Sequence, residues 1–392
     1  MRVSRSVRLM LGAACLILML PGLAHAQDGR PQLVGRAILP AEFLTDGPPA
    51  GAALSSAAAL INGIRVPFDS QPIGSISAIL PGQYPGTWLA LSDAQFGVPD
   101  SSADYLLRFF VLELDMRRAG SGSGEANLLD RQLLADASGR VGIPIVNDET
   151  RTRYLTGADF VPRAFQRGGN AFWVAEERLP SLLRFDGTGR LLEAPILLEG
   201  AGALQGMGIL PDGSALVIAQ RAAEAPDEVI FRLYDLTTRQ FSPLPGVYAL
   251  EATGHSMGAL VMINADEALV IELDGQERQN AQFKRIFLIN VRSETIEKRL
   301  VADLLNIDDP SGISLFGEPP PEPFGLGQPF RFPFRQITAL YPVDEQTLLV
   351  ANNNRLPFGL GRSPREADAT EFISILLPEP LPLDVAFIRS FR

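Results

Sequence analysis

The stretch FRFPFRQITALYPVDEQTLLVANNNRLPFGLGRSPREADATEFISIL, residues 330–376, sets the pattern of the whole chain. Within it, a polar turn at 343–346 leads into the apolar run 347–351, which opens directly onto Asn352, Asn353 and Asn354. A short apolar strand that ends in polar side chains is how a β-scaffold presents a binding or catalytic site. The stretch therefore predicts a β-strand whose tip carries functional groups.

The same arrangement recurs upstream, in residues 82–93, 167–177, 211–220 and 264–274. The polar tips fall at positions 93, 176, 220, 272 and 352, so the gaps between them are 83, 44, 52 and 80 residues. The two long gaps are close to twice the short ones, which indicates a repeat of roughly 40 to 50 residues, the length of a four-stranded propeller blade. We therefore predict an all-β fold, a single β-propeller of about six or seven blades. Its N- and C-terminal strands are expected to complete one blade.

The N-terminus has the three parts of an export signal. Arg2, Arg5 and Arg8 precede an apolar segment at 9–20, and the small-residue sequence Ala-His-Ala ends at Ala26. The apolar segment is too short to span a bilayer as a helix. We predict a signal peptide at residues 1–26, a propeller domain at 27–392, and a periplasmic or secreted protein of bacterial type.

Removal of that segment excludes several kinds of functional site from the rest of the chain. It contains the only cysteine, one of the two histidines and three arginines but no acids, so the net charge changes from −11 to −14 and His255 is the one histidine left. Disulfides, zinc–thiolate sites and cysteine nucleophiles are then excluded. Strong acidity argues against nucleic acid or an anionic membrane as a partner.

Residues Gly254 to Gly258 match the G-x-S-x-G pattern of a serine nucleophile elbow. That elbow needs a strand-to-helix turn and a histidine base later in the chain. Here the remaining histidine, His255, stands beside Ser256 inside the motif, and residues 259–263 have the composition of a strand. We interpret the match as accidental and assign Ser256 no chemistry.

The remaining candidates for chemistry are acids and amides at or near the strand tips. They are Asp93, Asp159, Glu176, Glu177, Glu272, Asp274, Asn352, Asn353 and Asn354. Taken singly, each is more often a solvated turn residue than a ligand. Recurrence at one point of the repeat favours function, because equivalent blade ends converge on the propeller axis, and a ring of carboxylate and amide oxygens suits a hard cation such as Ca²⁺.

From about residue 39 to 377 the chain resembles the family named for the esterase-like activity of phytase, a group of secreted β-propellers. The stretches that carry the resemblance are LP at 39, PFDSQPIGSISAIL at 67, ALSDAQFG at 90, SADYLLRF at 102, LTGADF at 155, WVAEERLPSLLRFDGTGRLLE at 173, QGMGILPDG at 205, AQFKRIFLINV at 281, and the closing stretch quoted above. The resemblance implies hydrolysis of phosphoric or carboxylic esters, with Ca²⁺ as the expected cofactor.

The chain also departs from the family pattern, and mostly at acids. Neutral or basic residues replace family acids at Val161, Arg163, Gln205, Thr338 and Asn353, and Ala94 and Leu273 replace an asparagine and an arginine. Asp93, Asp159, Glu176, Glu177 and Glu272 fit the pattern. Because the number of ligand charges sets the affinity of such sites, these losses predict a calcium site weakened by several kcal/mol.

Two functions stay open at this point. The first is a metal-dependent phosphoesterase or esterase with a reduced ligand set. In it, Asp93, Glu176, Glu177, Glu272, Asn352 and Asn353 are the candidate metal ligands, and Asp93, Asp159, Glu177, Glu272, Arg335 and Arg362 are the candidate catalytic residues, with Arg335 or Arg362 clamping the substrate phosphate. The second is a non-catalytic propeller that binds a small molecule, a glycan or a protein partner.

Overall fold

The computed structural model describes residues 29–55, 59–93, 96–198, 200 and 202–389. The predicted signal peptide, residues 1–26, lies outside the described residues, so its removal stays a prediction. The described chain is mostly strands and turns, with four short helical segments: 3-10 turns at Pro99–Ser102, Arg278–Asn280 and Ile313–Leu315, and the helix α1 at Val385–Arg389. No helix in this described part is long and apolar enough to cross a bilayer.

The first strand, β1 (Gln32–Leu39), is followed by four two-residue strands that form two small pairs. These are β2 (Leu44–Thr45) with β5 (Gln71–Pro72), and β3 (Leu60–Ile61) with β4 (Ile64–Arg65). All later strands, together with β1, form five antiparallel groups of four strands, which we call blades 1 to 5. Blades 5 and 1 are joined into one eight-stranded sheet by a parallel contact between β1 and β9, at Ile38 and Glu125.

The blades follow one another along the chain. Blade 1 contains β6 (Ile76–Pro81), β7 (Thr87–Ser92), β8 (Arg108–Asp115) and β9 (Glu125–Leu133); blade 2 contains β10 (Pro162–Gly168), β11 (Ala171–Glu176), β12 (Ser181–Phe185) and β13 (Ile196–Leu197). Blade 3 contains β14 (Leu204–Ile209), β15 (Ala215–Arg221), β16 (Glu228–Asp235) and β17 (Phe241–Ala249); blade 4 contains β18 (Ser256–Met262), β19 (Glu267–Leu273), β20 (Lys284–Asn290) and β21 (Arg299–Asp303). Blade 5 contains β22 (Gln336–Pro342), β23 (Thr347–Asn353), β24 (Thr370–Leu376) and β1.

The innermost strands of the blades close into a ring. Strands β6, β10, β14, β18 and β22 each pack against the innermost strand of the next blade, and β22 packs against β6. The ring is fastened at the chain ends, because β1 pairs antiparallel with β24 from Gln32 opposite Leu376 to Leu39 opposite Thr370. The predicted all-β propeller, with N- and C-terminal strands completing one blade, is therefore confirmed.

The blade number differs from the expectation. The described residues form five blades rather than about six or seven. Each long gap between tips holds a long connection instead of an extra blade: residues 134–161 lie between β9 and β10, and 304–335 between β21 and β22. The second connection buries Phe330, Phe332 and Phe334 against the core, so it has an apolar pattern without being a sheet.

Burial explains why the second strand of each blade has the clearest apolar pattern in the sequence. These strands are covered on both faces by neighbouring blades, and β15 and β23 are buried along nearly their whole length. A strand buried on both faces has a continuous apolar run rather than an alternating one. The outermost strands β9 and β17 are largely exposed, and their sequences are correspondingly polar or mixed.

Candidate functional site

Every innermost strand carries a register shift at the same place, near its first residue. In each case one extra residue stands opposite the neighbouring strand, as in a β-bulge. The five residues are Ser77, Arg163, Gln205, Gly258 and Thr338, which we call the bulge ring. β-Bulges redirect side chains next to functional sites, so this ring marks the end of the propeller axis where a site is expected.

Most of the bulge ring is bound to the next blade. The Thr338 hydroxyl donates to the Ile76 carbonyl at 2.5 Å. In the same way, the Ser77 hydroxyl donates to the Pro162 carbonyl at 2.7 Å. Gln205 differs, since its Oε1 accepts from the Met257 amide at 3.1 Å. These residues therefore connect blades 5 to 1, 1 to 2, and 3 to 4.

Gly258 occupies the equivalent place between blades 4 and 5. A Cβ atom added there would lie 2.1 Å from the carbonyl oxygen of Ile337, so no side chain fits. A glycine is required because the backbone of the next blade approaches closely. At this position blades 4 and 5 are thus joined by direct backbone packing rather than by a side-chain hydrogen bond.

Arg163 is the charged member of the bulge ring. Its Nε lies 3.1 Å from Oε2 of Glu177, the residue after β11, and the Arg163 side chain is 18% exposed. The positive charge thus meets Glu177 at the same end of the axis. No member of the ring is a carboxylate, since its residues are serine, arginine, glutamine, glycine and threonine.

A second ring of polar residues lies on the strand beside the bulges. Each member pairs with the innermost-strand residue that precedes the bulge, and all are fully buried. The members are Ser92, Glu176, Gln220, Glu272 and Asn352, which we call the tip ring. The predicted tip positions are thus structurally equivalent to within one residue.

Glu176 of the tip ring folds back into its own blade. Its carboxylate accepts from the backbone amides of Arg178 at 2.9 Å and Leu179 at 2.6 Å. Burial raises the pKa of Glu176 above the ordinary value, because desolvation outweighs these hydrogen bonds. The carboxylate therefore holds the turn after β11 in place.

Glu272 is the centre of a buried cluster between blades 3 and 4. It accepts from the Tyr248 hydroxyl at 2.6 Å and from Lys298 Nζ at 2.9 Å, and it lies 2.8 Å from His255 Nδ1. Burial alone would raise its pKa, but the hydrogen bonds from Tyr248, the Glu251 amide and Lys298 outweigh burial and lower it. Glu272 is thus an ionised structural group with a full set of partners.

The closing stretch places its asparagines in different surroundings. Asn352 accepts from the Glu371 amide at 2.7 Å and donates to the Ala369 carbonyl at 3.1 Å, within blade 5. Asn353 instead donates to the Asp93 carboxylate across the seam between blades 5 and 1. The structure therefore brings Asp93 and Asn353 together and turns Asn352 inward.

Asp159 and the two candidate clamps occupy three separate environments. Asp159 accepts from the amides of Val146 and Thr156, both at 2.8 Å, and so fixes a loop. Arg335 is exposed. Burial first, and then the charge of Arg335, lower the pKa of half-buried Arg355.

Arg362 is 4% exposed and lies inside the protein. Its guanidinium donates to the two Glu371 oxygens at 2.7 and 3.0 Å, and Arg36 contacts the same carboxylate. Burial would raise the pKa of Glu371, but the charges of Arg36 and Arg362 lower it to about 2. A substrate phosphate would have to displace this carboxylate, so Arg335 has the accessible position of the two candidates.

The candidate ligands do not fit a calcium site as they stand. In the described part of the chain, no group of three or more histidine, cysteine, aspartate or glutamate residues lies close enough to hold a metal ion. The candidates are divided between the axis end, where Asp93, Glu177 and Asn353 lie, and blade interiors, where Glu176, Glu272 and Asn352 lie. Ca²⁺ takes six to eight oxygen ligands, which this arrangement does not supply.

Neither Ser77 nor Gly258 was predicted from the sequence to be a site residue. A signal was present, because every bulge residue precedes the tip residue of its own blade by 13 to 15 positions. Tyr248 and Lys298, the partners of Glu272, were also missed. They come from β17 and from the turn before β21, and no spacing in the sequence links them to position 272.

A cavity of about 200 Å³ lies along the axis beneath the bulge ring. Residues from all five innermost strands line it, so it is the central channel of the propeller. Arg163, Gly258 and Thr338 lie at one end, while Phe387 of α1 lies at the other, beside Tyr341, with ring centroids 5.4 Å apart. The channel therefore has the bulge ring at one end and an aromatic pair at the other.

A closed ring of blades, an axial channel and polar residues at one end of that channel together define a β-propeller with an axial site. The family model for phytase-like proteins, described as esterase-like activity of phytase, matches residues 71–316. The match covers more than half of the chain, so this protein belongs to that family, as its sequence resemblance predicts.

Similar solved structures are distant. A luciferin-regenerating enzyme shares 12% identity at a TM-score of 0.38, covering 79% of this chain and 80% of that one. The Pan2 WD40 domain of Neurospora crassa shares 9% identity at a TM-score of 0.37, covering 79% and 90%. Sqt1 of Saccharomyces cerevisiae shares 10% identity at a TM-score of 0.33, covering 81% and 74%. A comparison with curated protein sequences finds no significant match.

Proposed function

We propose that this protein is an exported phytase-like propeller that binds a small ligand at its axis without hydrolysing esters through calcium. The observation that carries the proposal is the composition of the bulge ring, which contains one arginine and no carboxylate. Three of its positions, Arg163, Gln205 and Thr338, are those where the family pattern has acids. The scaffold is retained while the expected ligands are replaced.

Electrostatics favour binding without calcium. At the axis end, Glu177 is already paired with Arg163, and Asp93 accepts from Asn353. The positive charge of Arg163 would repel a dication placed there, and the few carboxylates at this end would hold it only weakly. The Ser77 and Thr338 hydroxyls already donate their protons to carbonyl groups, so Arg163 is the bulge-ring residue that keeps charged N–H donors for a ligand. The site therefore suits a neutral or anionic ligand better than a dication.

Ester hydrolysis remains a second candidate because of the family match over residues 71–316. Under it, Asp93 and Glu177 are the carboxylates left at the axis end, and Arg335 is the accessible cation for a substrate phosphate. This function requires metal binding that the protein achieves with fewer charged ligands than the family pattern has.

One experiment separates the two functions. The purified chain is titrated with Ca²⁺ while thermal unfolding is recorded, and turnover of p-nitrophenyl phosphate is measured in the same buffers. A metal bound only by the native state must raise Tm. We expect no calcium-dependent shift in Tm and no calcium-stimulated turnover. Strong calcium-stimulated turnover by the natural chain would overturn the proposal in favour of hydrolysis.

Export is tested separately. The tripartite segment at residues 1–26 supports a periplasmic or secreted location. Intact mass of the protein recovered from a periplasmic fraction should correspond to a chain that begins at Gln27, with or without cyclisation of that glutamine. A recovered chain that still begins at Met1 would contradict export by a cleaved signal.

A further inference from the structure

The central channel has a wall that is apolar along most of its length. Its lining includes Ala78, Leu80, Met207, Leu340, Tyr341 and Phe387. Phe387 lies at the end where the innermost strands terminate and stacks on Tyr341 at an interplanar angle of 28°. A concave apolar cavity with a few polar groups at one end is the usual form of a small-molecule site.

Charge is distributed unevenly over this wall. Among the lining residues two are cations, Arg163 and Arg167, and none is a carboxylate. Arg163 lies in the bulge ring, 18% exposed, whereas Arg167 is exposed near the opposite end, with its guanidinium 5.4 Å from the centroid of the Phe172 ring. The net charge of the protein is −11, which disfavours anion binding in general. A cavity whose only charged lining residues are cations is the place where an anion is tolerated.

The backbone adds hydrogen-bonding groups to the wall. Each innermost strand pairs with a neighbour on one side only, so its other edge faces the axis. The unpaired N–H and C=O groups of such an edge are available to a partner. One of these groups, the Met207 carbonyl, already accepts from Gln166 at 3.0 Å.

We propose that the channel binds a small anion with an apolar body, about the size of one substituted aromatic ring. The apolar body lies between Leu80, Met207 and Leu340, and the anionic group accepts hydrogen bonds from Arg163. A cavity of roughly 150 Å³ lined by apolar residues holds benzene. The volume here, about 200 Å³, therefore has room for a ring and a short anionic substituent.

Arg163 is able to bind such a group while it contacts Glu177. A guanidinium has five N–H donors, and the Nε contact with Glu177 uses one of them. The remaining donors form a planar fork that matches two oxygens of a carboxylate or of a phosphate. The two anionic groups share this chemistry, and the ligand series below distinguishes them.

The first measurement is calorimetric titration of the natural protein in EDTA with four probes. Phenylacetate and phenyl phosphate carry a ring and an anionic group, phenylacetamide carries the ring alone, and inorganic phosphate carries the charge alone. We expect at least one ring-bearing anion to bind roughly tenfold or more tightly than both phenylacetamide and inorganic phosphate, as for one charge-assisted hydrogen bond. Ring-bearing anions that bind no more tightly than phenylacetamide, or no binding at all, would overturn the inference.

The second measurement uses a matched pair of variants. Arg163→Gln removes the charge at the bulge ring, and Arg167→Gln removes the other charge of the same wall. We expect Arg163→Gln to weaken binding of the ring-bearing anion about tenfold and to leave phenylacetamide unaffected, while Arg167→Gln changes neither by more than about twofold. Equal losses in both variants would show that Arg163 has no special part and would contradict the inference.

A third variant tests the position of the apolar body. Ala78→Leu places three further carbon atoms in the channel, and we expect it to abolish binding of both ring-bearing probes. Unchanged binding by a folded Ala78→Leu protein would locate the ligand elsewhere and reject the channel. If this variant does not fold, the Arg163 and Arg167 pair still decides the question.

This inference rests on the proposed binding function, but the two fail differently. Calcium-stimulated hydrolysis of p-nitrophenyl phosphate contradicts the proposed function and says nothing against a calcium-independent ligand in the channel. Failure of the ring-bearing anions to bind in EDTA contradicts the channel ligand and leaves the absence of calcium-dependent hydrolysis intact.

Discussion

The bulge ring and the tip ring lie on neighbouring strands of every blade, yet their side chains do different things. Bulge residues lie at the axis and mostly bind to the next blade, as the hydroxyls of Ser77 and Thr338 do. Tip residues are fully buried behind the bulges; Glu176 binds within its own blade, whereas Glu272 has partners in blade 4 and also accepts from Tyr248 of blade 3. Both rings recur with the same period, but only the bulge ring reaches the channel.

This difference shows that recurrence alone does not identify a site. A residue that recurs in every blade is as well explained by a shared structural need, such as fixing the turn beyond a strand, as by convergence on the axis. Successive residues of a strand point to opposite faces, so a shift of one position separates the two roles. Glu176 is buried in blade 2, while the next residue, Glu177, meets Arg163 at the axis end.

The largest expected effect separates the rings by stability. Glu272→Ala removes the acceptor of the buried Tyr248 hydroxyl and of the Glu251 amide and leaves half-buried Lys298 with Glu251 alone, so it should lower the free energy of unfolding by about 3 kcal/mol. Glu177→Ala, whose carboxylate is 35% exposed, should cost about 1 kcal/mol or less. Urea denaturation followed by circular dichroism measures both. Equal losses in the two variants would remove the distinction between a tip-ring carboxylate and the carboxylate that pairs with Arg163 of the bulge ring.

The Glu272→Ala part of this first prediction also implies that stability depends on pH. The pKa of Glu272 is lower in the folded protein than its ordinary value of 4.5, so its contribution is present above that value and is lost as pH falls through the folded pKa. The natural protein should therefore lose stability with acid more steeply than Glu272→Ala. Unfolding curves recorded between about pH 3 and 6 test this sign.

Much of the fold was predictable from the closing stretch and its repeats. The apolar runs before the tips are second strands buried on both faces, which gives them the strongest pattern in each blade. The blade number was not predictable, because the connection at 304–335 is long and buries phenylalanines as a sheet does. Its length matched a missing blade, and only strand pairing shows that it is a loop.

The site was less predictable than the fold. Asp93, Glu177 and Asn353 do lie at the axis end, but Glu176, Glu272 and Asn352 do not, because a strand pattern gives the tip of a blade and not the direction of each side chain. Arg362 has the sequence context of a loop arginine. Its burial depends on Glu371 and Arg36, which lie in strands β24 and β1 at opposite ends of the chain.

The second prediction attempts to rebuild a cation site on the bulge ring. The variant combines Arg163→Glu, Gln205→Glu and Thr338→Glu with Asn353→Asp beside Asp93. If the ring is the place where ligands were lost, this variant should bind Ca²⁺, with a gain of about 2.7 kcal/mol at a concentration one hundred times Kd and a rise in Tm of several degrees. Thermal unfolding with and without Ca²⁺ measures it.

The control for the rebuilt site is Arg163→Gln alone, which removes the cation and adds no carboxylate. It should show no calcium-dependent change in Tm. A rebuilt variant that folds normally yet binds Ca²⁺ no better than this control would show that the bulge ring is not the ancestral ligand set.

The third prediction tests whether the bulge ring joins the blades. Thr338→Val removes the hydroxyl that donates to the Ile76 carbonyl and should cost about 1 kcal/mol, the usual net worth of one hydrogen bond. Ser77→Ala removes the equivalent bond to Pro162 at the next seam and should cost a similar amount. Chemical denaturation measures both losses. A loss below about 0.3 kcal/mol in both variants would show that these hydroxyls do not hold the blades together.

The smallest expected effect is at Ser256, the first residue of β18, which stands two positions before the bulge residue Gly258. A serine nucleophile needs a base, and His255 has its Nδ1 directed to Glu272 at 2.8 Å within the buried cluster between blades 3 and 4. The motif continues as a strand rather than as a helix, so the strained elbow that exposes such a serine is not formed. Ser256→Ala should therefore change the free energy of unfolding by no more than about 0.5 kcal/mol. It should also leave any hydrolysis of p-nitrophenyl acetate unchanged. A hundredfold loss of esterase activity in a normally folded variant, the scale on which a nucleophile acts, would place chemistry at the edge of the bulge ring after all.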